Sequence, residues 1–496
     1  MPGVYGAGVI TLAQWPVRFR HLSATDDRQG NTGLSQEETH LLLPADAAWL
    51  ALERPDNPLT ITVMMRVEGL TPDRLEQFLR DYWLSWDRFH FYPERRATGW
   101  WWQRDHAFSL RHHLEVVDEP FSESQLQDWV SARLNEPLPD YRPRWKFWLA
   151  PRAEGGAALV LRIHHCYGDG LSLMGIFRRL CPPSPQQAPV LYGARENADF
   201  LHWSRRTATW LWNLLEQTLK LPENDRLADP ARWSRQRLGK LVERFAGRGY
   251  RAVNEIGQFL GEPEDSDSGL SRSLLGRRHC CWSRPLAAEP LREAARRAGV
   301  TVNDLLLQGV TAALRQHLHR SDLSAEEAVL HAAMPMDIRN RLPEGIRPAS
   351  GALGNCFGTV FVPLPVDGAS ALEQLYRVKH ETRKFKRGWQ PVISWALAGA
   401  AVMLPETWRQ SLADLLCRKA SVVVSNMPGT RRHRYIAGCR ITGQMFWVPQ
   451  AGNIGLGVSF VSYAGQVCIG VVADEAVMED PAAFLESCVS NLHRTG

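Results

Sequence analysis

Residues 162–171 read RIHHCYGDGL, a stretch that holds two adjacent histidines, an aspartate and two glycines. The apolar residues Leu159–Ile163 precede the histidines and have the composition of a buried strand. Neighbouring side chains on a strand point to opposite faces, so His164 and His165 are not expected to share one metal ion. Zinc-binding histidine pairs usually lie four residues apart on a helix. We therefore expect one imidazole to face the scaffold and the other to face a cleft.

The residues after the histidines predict a tight turn that holds one imidazole in place. Gly168 and Gly170 permit close approach of the backbone, and Asp169 can accept hydrogen bonds from local amides or pair with an arginine such as Arg339. A neutral histidine in a cleft can act as general base towards a hydroxyl, thiol or amine. The predicted site is thus His165 as base, His164 as its structural neighbour and Asp169 as the group that fixes the turn. The alternative is a buried, purely structural histidine pair.

Composition limits the class of protein. The chain has 496 residues, which favours two domains, and its net charge of +5 comes without a nucleic-acid recognition motif. Nine scattered cysteines with no CxxC pair are typical of free thiols in a reducing cytosol. The longest apolar run, near Ile393–Leu404, is too short to span a bilayer, and the N-terminus lacks a signal-peptide pattern. We expect a cytoplasmic protein without nucleic-acid partners, either soluble or peripheral to the inner membrane or lipid droplets.

Strand and helix patterns alternate irregularly and predict an α/β (α+β) fold in four segments. Residues 1–40 are an N-terminal extension, and residues 41–180 are a lobe that carries the histidine motif. Residues 181–276 are a helical connector rich in tryptophan, and residues 277–496 are a second lobe. The connector helix around Trp203 and Trp210 could rest on a lipid surface or cover the apolar seam between the lobes.

HHCYGDG matches the HHxxxDG motif of the CoA-dependent acyltransferase superfamily. More closely, the chain from about Leu42 onward resembles the bacterial wax ester synthase/diacylglycerol acyltransferase family. Five further segments carry the resemblance in the family's order: LLLPADAAWLALERPDNP, PLPDYRPRWKFWLA, TVNDLLLQGVTAALRQHL, GNCFGTVFVPLPV and SNMPGT. Three positions depart from the family pattern, because Arg144 replaces leucine, Gly168 replaces an apolar residue and Thr430 replaces proline.

The resemblance implies two chloramphenicol-acetyltransferase-like lobes with the active site in a channel between them. It also implies transfer of a fatty acyl group from acyl-CoA to a long-chain alcohol or a diacylglycerol, with His165 as general base. No metal and no cofactor are expected, since acyl-CoA is a co-substrate. Two rival functions stay open: an acyltransferase that takes its acyl group from a carrier protein, and a non-catalytic lipid-binding protein of the same fold.

The remaining motifs supply candidate substrate-binding residues, each with a structural alternative. These candidates are Gly170, Asn303, Asp304, Ser425 and Asn426. Asn303 could donate to a developing oxyanion, but Asn303 and Asp304 follow Thr301 and could simply cap a helix. Ser425 and Asn426 could line the cleft or end a strand in a turn. Gly354, Asn355 and Gly358 are expected to shape the entry to a strand.

Overall fold

The computed structural model describes residues 39–191 and 261–495, apart from 98, 262, 322–323, 343–346, 349–352, 369 and 403–405. In the first part, the strands are β1 Thr39–Leu41, β2 Thr60–Val67, β3 Phe91–Arg96, β4 Gly99–Arg104, β5 Leu114–Val116, β6 Trp145–Pro151 and β7 Ala157–His164. The helices of this part are α1 Pro44–Leu52, α2 Pro72–Asp81, α3 Glu123–Leu134 and α4 Gly170–Leu180.

In the second part, the strands are β8 Arg278–Trp282, β9 Leu286–Ala287, β10 Leu330–Asp337, β11 Phe357–Leu364, β12 Val422–Pro428, β13 Tyr435–Ile436, β14 Cys439–Trp447, β15 Leu456–Tyr463 and β16 Gln466–Asp474. The helices of this part are α5 Ala288–Arg297, α6 Val302–Arg320, α7 Ala371–Arg387, α8 Gln390–Ala401, α9 Glu406–Cys417 and α10 Pro481–Thr495.

The first sheet has the strand order β13-β14-β2-β7-β6-β5. Strand β7 lies in its interior, paired antiparallel with β2 on one side and β6 on the other, and all eight of its residues are buried. Its continuous apolar sequence fits a strand that is covered on both faces. The strand ends at His164, which pairs with Thr60 at the start of β2. The histidine motif therefore leaves the sheet at one end of this central strand.

The second sheet has the order β11-β10-β12-β15-β16-β8, with β9 also paired to β16. Helices α6 and α10 pack against each other, and α8 lies against β11. The hairpin β15–β16 turns at Ala464 and Gly465, whose φ angles of 48° and 81° suit a tight two-residue connection.

The sheets do not follow the sequence division at residue 277. Strands β13 and β14, from the C-terminal half, belong to the first sheet, where β14 pairs antiparallel with β2. This pairing covers a strand edge that would otherwise be open. Thr39 and His40, assigned to the N-terminal extension, belong to β1 and pair with β4. Sequence periodicity could not foresee either pairing, because both join segments that are distant along the chain.

Between β11 and β12 the described residues form three helices, α7, α8 and α9. Helix α7 ends before Gly388, and Pro391 stands in the first turn of α8, where its missing N–H costs no helical hydrogen bond. The predicted Trp-rich connector helix lies outside the described residues.

One apolar core joins the two halves of the chain. Cys166 and Leu173, from the histidine motif and α4, belong to the same buried cluster as Leu353, Cys356 and Trp395. Much of the tryptophan content is structural, since six side chains are essentially inaccessible: Trp83, Trp86, Trp102, Trp145, Trp148 and Trp447. Among the described helices, none combines the length and apolarity that a bilayer crossing requires.

Candidate active site

The two histidines separate because the strand stops between them. His164 is the last residue of β7, and residues 165–167 form one turn of 3-10 helix. The two backbone amides still bond into the sheet region, His164 N–H to Arg144 O and His165 N–H to Leu59 O, both at 2.9 Å. Strand alternation therefore does not extend past His164. The Cys166 side chain lies in the core, and burial raises the pKa of its thiol well above the usual range.

His164 faces the scaffold. Its ring is 1% exposed, and Nδ1 accepts a hydrogen bond of 3.1 Å from the Cys166 N–H. The ring proton is therefore on Nε2, which lies 3.4 Å from Oε1 of Glu53. The other oxygen of Glu53 accepts a hydrogen bond of 2.7 Å from Arg144. Burial lowers the pKa of His164, so the ring is neutral at pH 7 and its contacts are with the scaffold.

His165 is enclosed by aromatic rings and one amide. The indole of Trp49 stacks on it at a centroid distance of 3.8 Å, and the ring of Phe357 lies 5.6 Å away. Nδ1 of His165 is 2.8 Å from Oδ1 of Asn355. None of the described residues is hydrogen-bonded to Nε2, and the residue keeps 6% of its surface exposed. The imidazole is thus fixed from one side, with Nε2 available.

Asn355 is itself held on every polar atom. Its Nδ2 donates to Oδ1 of Asp46 and to the backbone oxygen of His165, both at 2.8 Å. Its backbone N–H donates to the same Asp46 oxygen at 2.9 Å, and its carbonyl accepts from Nε1 of Trp395 at 2.9 Å. The amide therefore presents its oxygen to His165, and a hydrogen bond to that oxygen requires the proton on Nδ1.

Burial controls the charge of the His165 ring. It lowers the pKa of His165 to about 4, although the nearby Asp169 acts in the opposite direction. The ring is consequently neutral at pH 7, with an unprotonated Nε2. A neutral imidazole in a water-poor environment is the form that can accept a proton from a hydroxyl.

Asp169 connects the motif to the second half of the chain. It caps the N-terminus of α4, where Oδ1 accepts a hydrogen bond of 2.8 Å from Ser172 N–H. Oδ2 accepts from Cys356 N–H at 2.9 Å, and Nη2 of Arg339 lies 2.9 and 2.8 Å from the two oxygens. Arg339 also bonds Asp337. Burial disfavours the positive charge of Arg339, but the carboxylate of Asp169 raises the pKa of Arg339 above its usual value. The expectation that Arg339 could clamp Asp169 matches this geometry.

The glycines allow close packing at this contact. A Cβ on Gly168 would lie 3.2 Å from Gly354 N and from the Ser172 side chain. A Cβ on Gly170 would lie 2.1 Å from the terminal methyl of Met427. The motif therefore sits directly against the residues before β11 and against the end of β12, both in the second half of the chain.

The remaining predicted site residues lie at the start of α6 and on β12. Asp304 closes a capping box with Thr301 and accepts a hydrogen bond of 2.7 Å from Thr382, so its described role is structural. Asn426 donates to Oδ1 of Asn303 at 3.1 Å. No hydrogen bond between described residues links Asn303, Asp304 or Asn426 to His165.

Ser425 is buried on β12, two residues before Met427, which approaches Gly170. Because alternate strand residues share a face, Ser425 points to the side of the histidine motif and Asn426 to the other side. Two cavities, of about 1030 and 570 Å³, lie elsewhere, the first beside α7 and the second between α6 and α10. A channel at His165 stays a prediction. So does substrate binding by the predicted residues, which are Gly170, Asn303, Asp304, Ser425 and Asn426.

Comparison with known proteins identifies the family. The wax ester synthase/diacylglycerol acyltransferase catalytic domain matches residues 42–306, and the C-terminal domain of the same family matches residues 353–495. This chain belongs to the wax ester synthase/diacylglycerol acyltransferase family. It is 28% identical over 390 residues to a Mycobacterium tuberculosis protein named a diacylglycerol O-acyltransferase, covering 76% of this chain and 78% of the relative. A second M. tuberculosis protein of that name is 24% identical over 471 residues, or 91% and 95% of the two chains.

Solved structures of the same fold extend the comparison. The wax ester synthase/diacylglycerol acyltransferase from Marinobacter aquaeolei VT8 superimposes with a TM-score of 0.61 at 19% identity, covering 92% of this chain and 98% of that one. Trichothecene 15-O-acetyltransferase from Fusarium sporotrichioides gives 0.58 at 13% identity, with coverages of 92% and 95%. The two-lobed CoA-dependent acyltransferase fold expected from the sequence is confirmed, and the chain is an acyltransferase of this family.

In this member of the wax ester synthase/diacylglycerol acyltransferase family, the structure places residues around the histidine motif that the motif alone did not reveal. Asn355 was expected only to shape a strand entry, and Asp46 and Glu53 received no role. The sequence carried only indirect signals for Asp46 and Asn355. Asp46 is a carboxylate within the apolar run of LLLPADAAWLAL, where a charge needs a partner. Asn355 lies in GNCFG, one of the segments shared with the family.

The variant Glu53→Gln tests whether the charge of Glu53, which lies beside His164, stabilises the folded protein. Burial opposes ionisation of Glu53, but His164 and Arg144 together lower its pKa to about 2, from 4.5 for the free side chain. Its charge therefore contributes stability that is complete above pH 4.5 and disappears as the pH falls towards 2. We expect the variant to lose about 1.5–3 kcal/mol of unfolding free energy at pH 7, as for a hydrogen bond to a charged group.

Urea unfolding of the wild type and the variant between pH 3 and 7 measures this difference. It should stay constant above pH 5 and shrink at lower pH. Glu76→Gln is the control, because its pair with Arg80 is exposed and should contribute less than about 1 kcal/mol. A difference that is independent of pH over the whole range would contradict the assignment of the Glu53 charge.

Proposed function

We propose that this enzyme joins a fatty acyl group from acyl-CoA to a long-chain alcohol or a diacylglycerol, with His165 as general base. The observation that carries the proposal is the neutral His165 ring, whose Nδ1–H is bound by Asn355 while Nε2 is left unbonded by the described residues. Family membership supports the substrate class, since the relatives are named diacylglycerol O-acyltransferases.

The proposed reaction proceeds by direct attack. Nε2 of His165 takes the hydroxyl proton while the acceptor oxygen bonds to the thioester carbonyl carbon. The tetrahedral intermediate then collapses, the carbon–sulfur bond breaks, and the departing CoA thiolate receives that proton from Nε2. An acyl-enzyme is disfavoured at the nearby thiols, because burial raises the pKa of both Cys166 and Cys356 well above the usual range.

A long-chain alcohol or a diacylglycerol dissolves poorly in water, so this proposal includes peripheral contact of the enzyme with a membrane or lipid droplet. Helix α7 ends with exposed Lys384 and Lys386, and Trp389 follows with 58% of its surface exposed. Cationic side chains beside an exposed indole suit the surface of an anionic lipid layer.

A thiol-release assay tests the proposed function. We expect palmitoyl-CoA to release CoA only with an acceptor present, either hexadecanol or dipalmitoylglycerol, and to yield one ester per thiol. Dipalmitoylglycerol is supplied in anionic vesicles, so sedimentation of the protein with them reports lipid contact. Turnover with an acyl carrier protein but not with acyl-CoA would favour the carrier-dependent alternative. Lipid binding without thiol release would favour the non-catalytic one.

A further inference from the structure

A buried hydrogen-bonded series connects the helix near the start of the described chain to the proposed base. Asp46 lies in α1, Asn355 precedes β11, and His165 follows β7, so three distant segments meet here. We propose that Asn355, oriented by Asp46, is a positioning residue that fixes the Nδ1-protonated tautomer of His165 and so makes Nε2 the proton acceptor. This inference rests on the proposed function, in which Nε2 takes the acceptor's proton.

Only one orientation of the Asn355 amide satisfies its surroundings. The two hydrogens on Nδ2 point to Asp46 Oδ1 and to the carbonyl of His165, and both of these groups accept hydrogen bonds. A flipped amide would place its oxygen against these two acceptors and its NH₂ against His165. The backbone of Asn355 is also held, through Asp46 and Trp395. The oxygen at 2.8 Å from Nδ1 therefore selects one tautomer of the ring.

Burying the carboxyl group of Asp46 in this position costs free energy. It is fully inaccessible, and its Oδ2 has no hydrogen-bond partner among the described residues. Such a group needs a compensating role. The Asn355 side chain bridges Asp46 and His165, so the ionised form of Asp46 would stabilise the imidazolium that forms when Nε2 accepts a proton.

The charge of Asp46 is set by the groups that face it. Burial raises its pKa, Arg88 and the hydrogen bonds from Asn355 lower it and Asp169 raises it, which together place the pKa at about 6. The buried thiols of Cys166 and Cys356 also lie within electrostatic range. The carboxylate is therefore ionised at pH 8 and becomes neutral as the pH falls through about 6, whereas His165 stays neutral down to about pH 4.

Asp46→Asn removes this charge and keeps the hydrogen bonds. The Asn oxygen can replace Oδ1 as acceptor for Asn355, and its NH₂ takes the place of the unpartnered Oδ2. We expect kcat to fall about tenfold above pH 7, the lower end of the effect of outer partners on a reactive group. The ratio of wild-type to variant kcat should then decline towards one below pH 6, where the wild-type carboxyl is also neutral. Parallel pH profiles, or no loss at all, would overturn the role of Asp46.

Asn355→Ala and a spectroscopic readout test the tautomer directly. With ¹⁵N-labelled histidine, and with His165→Gln to assign the signals, NMR at pH 7 should show a protonated Nδ1 and a bare Nε2 in the wild type. In Asn355→Ala this single tautomer should be lost, kcat should drop about 10–100-fold, and KM for palmitoyl-CoA should stay within about twofold. A protonated Nε2 in the wild type, or an unchanged tautomer in the variant, would overturn the proposal.

These measurements separate the inference from the proposed function. Circular dichroism and melting temperature establish that each variant is folded before its kinetics are compared. If the wild type released no CoA with any acceptor but showed a protonated Nδ1 that depended on Asn355, the proposed reaction would fail and only the assignment of the tautomer to Asn355 would stand. If turnover were normal and the tautomer did not depend on Asn355, the positioning role alone would fail.

Discussion

Replacing His165 with alanine should lower ester formation by about 10²–10⁴-fold, the range over which a positioned general base contributes. The loss should appear in kcat, since the proton transfer occurs only as the acceptor oxygen attacks. Acyl-CoA binding should change little, because the ring is small and mostly enclosed by Trp49 and Phe357. The measurement is initial CoA release from palmitoyl-CoA with hexadecanol and with dipalmitoylglycerol.

The matched control is His106→Ala, an exposed histidine in the loop after β4. It should retain wild-type turnover, which shows that the effect does not arise from losing any imidazole. His165→Gln is a second comparison, since it preserves much of the side-chain volume between the aromatic rings but supplies no base. Near-normal ester formation by a folded His165→Ala protein would remove the catalytic assignment.

The sequence located the histidine turn because its signals are local. A continuous apolar strand, two histidines and a glycine-bounded aspartate lie within about a dozen residues, and the structure places the turn where they predicted it. Different surroundings for the two rings were also expected, but for an incomplete reason. Strand alternation applies only up to His164, and the 3-10 turn then directs His165 towards Asn355.

The partners of these residues could not be found in the same way, because they come from distant segments. Asp46 is 119 positions before His165 and Asn355 is 190 positions after it, so no periodicity connects them. At Asp304 the structure shows the capping that the sequence left open as an alternative, since Asp304 lies in a capping box and accepts a hydrogen bond from Thr382. Substrate binding by Asn303 and Asp304 stays a prediction. Local chemistry explains which groups are present, whereas long-range packing decides which of them meet.

The two halves of the chain depend on each other through Asp169 and Arg339. Arg339→Ala should therefore lower the free energy of unfolding by about 3 kcal/mol, because it leaves a buried carboxylate without its cation. The Asp169 side chain is 6% exposed and that of Arg339 is 21% exposed, which places the effect at the low end for a buried pair. Turnover should fall as well, since Asp169 also holds the backbone of Cys356, the neighbour of Asn355.

Urea unfolding followed by tryptophan fluorescence measures the stability change. Arg377→Ala is the matched control, because its pair with Asp367 has side chains that are 44% and 40% exposed and should contribute less than about 1 kcal/mol. The Asp169→Asn/Arg339→Ala double variant should lose less than the sum of the two single variants, since each single change already breaks the shared contact. Strict additivity, or an Arg339→Ala protein as stable as the control, would mean that the contact does not hold the two halves together.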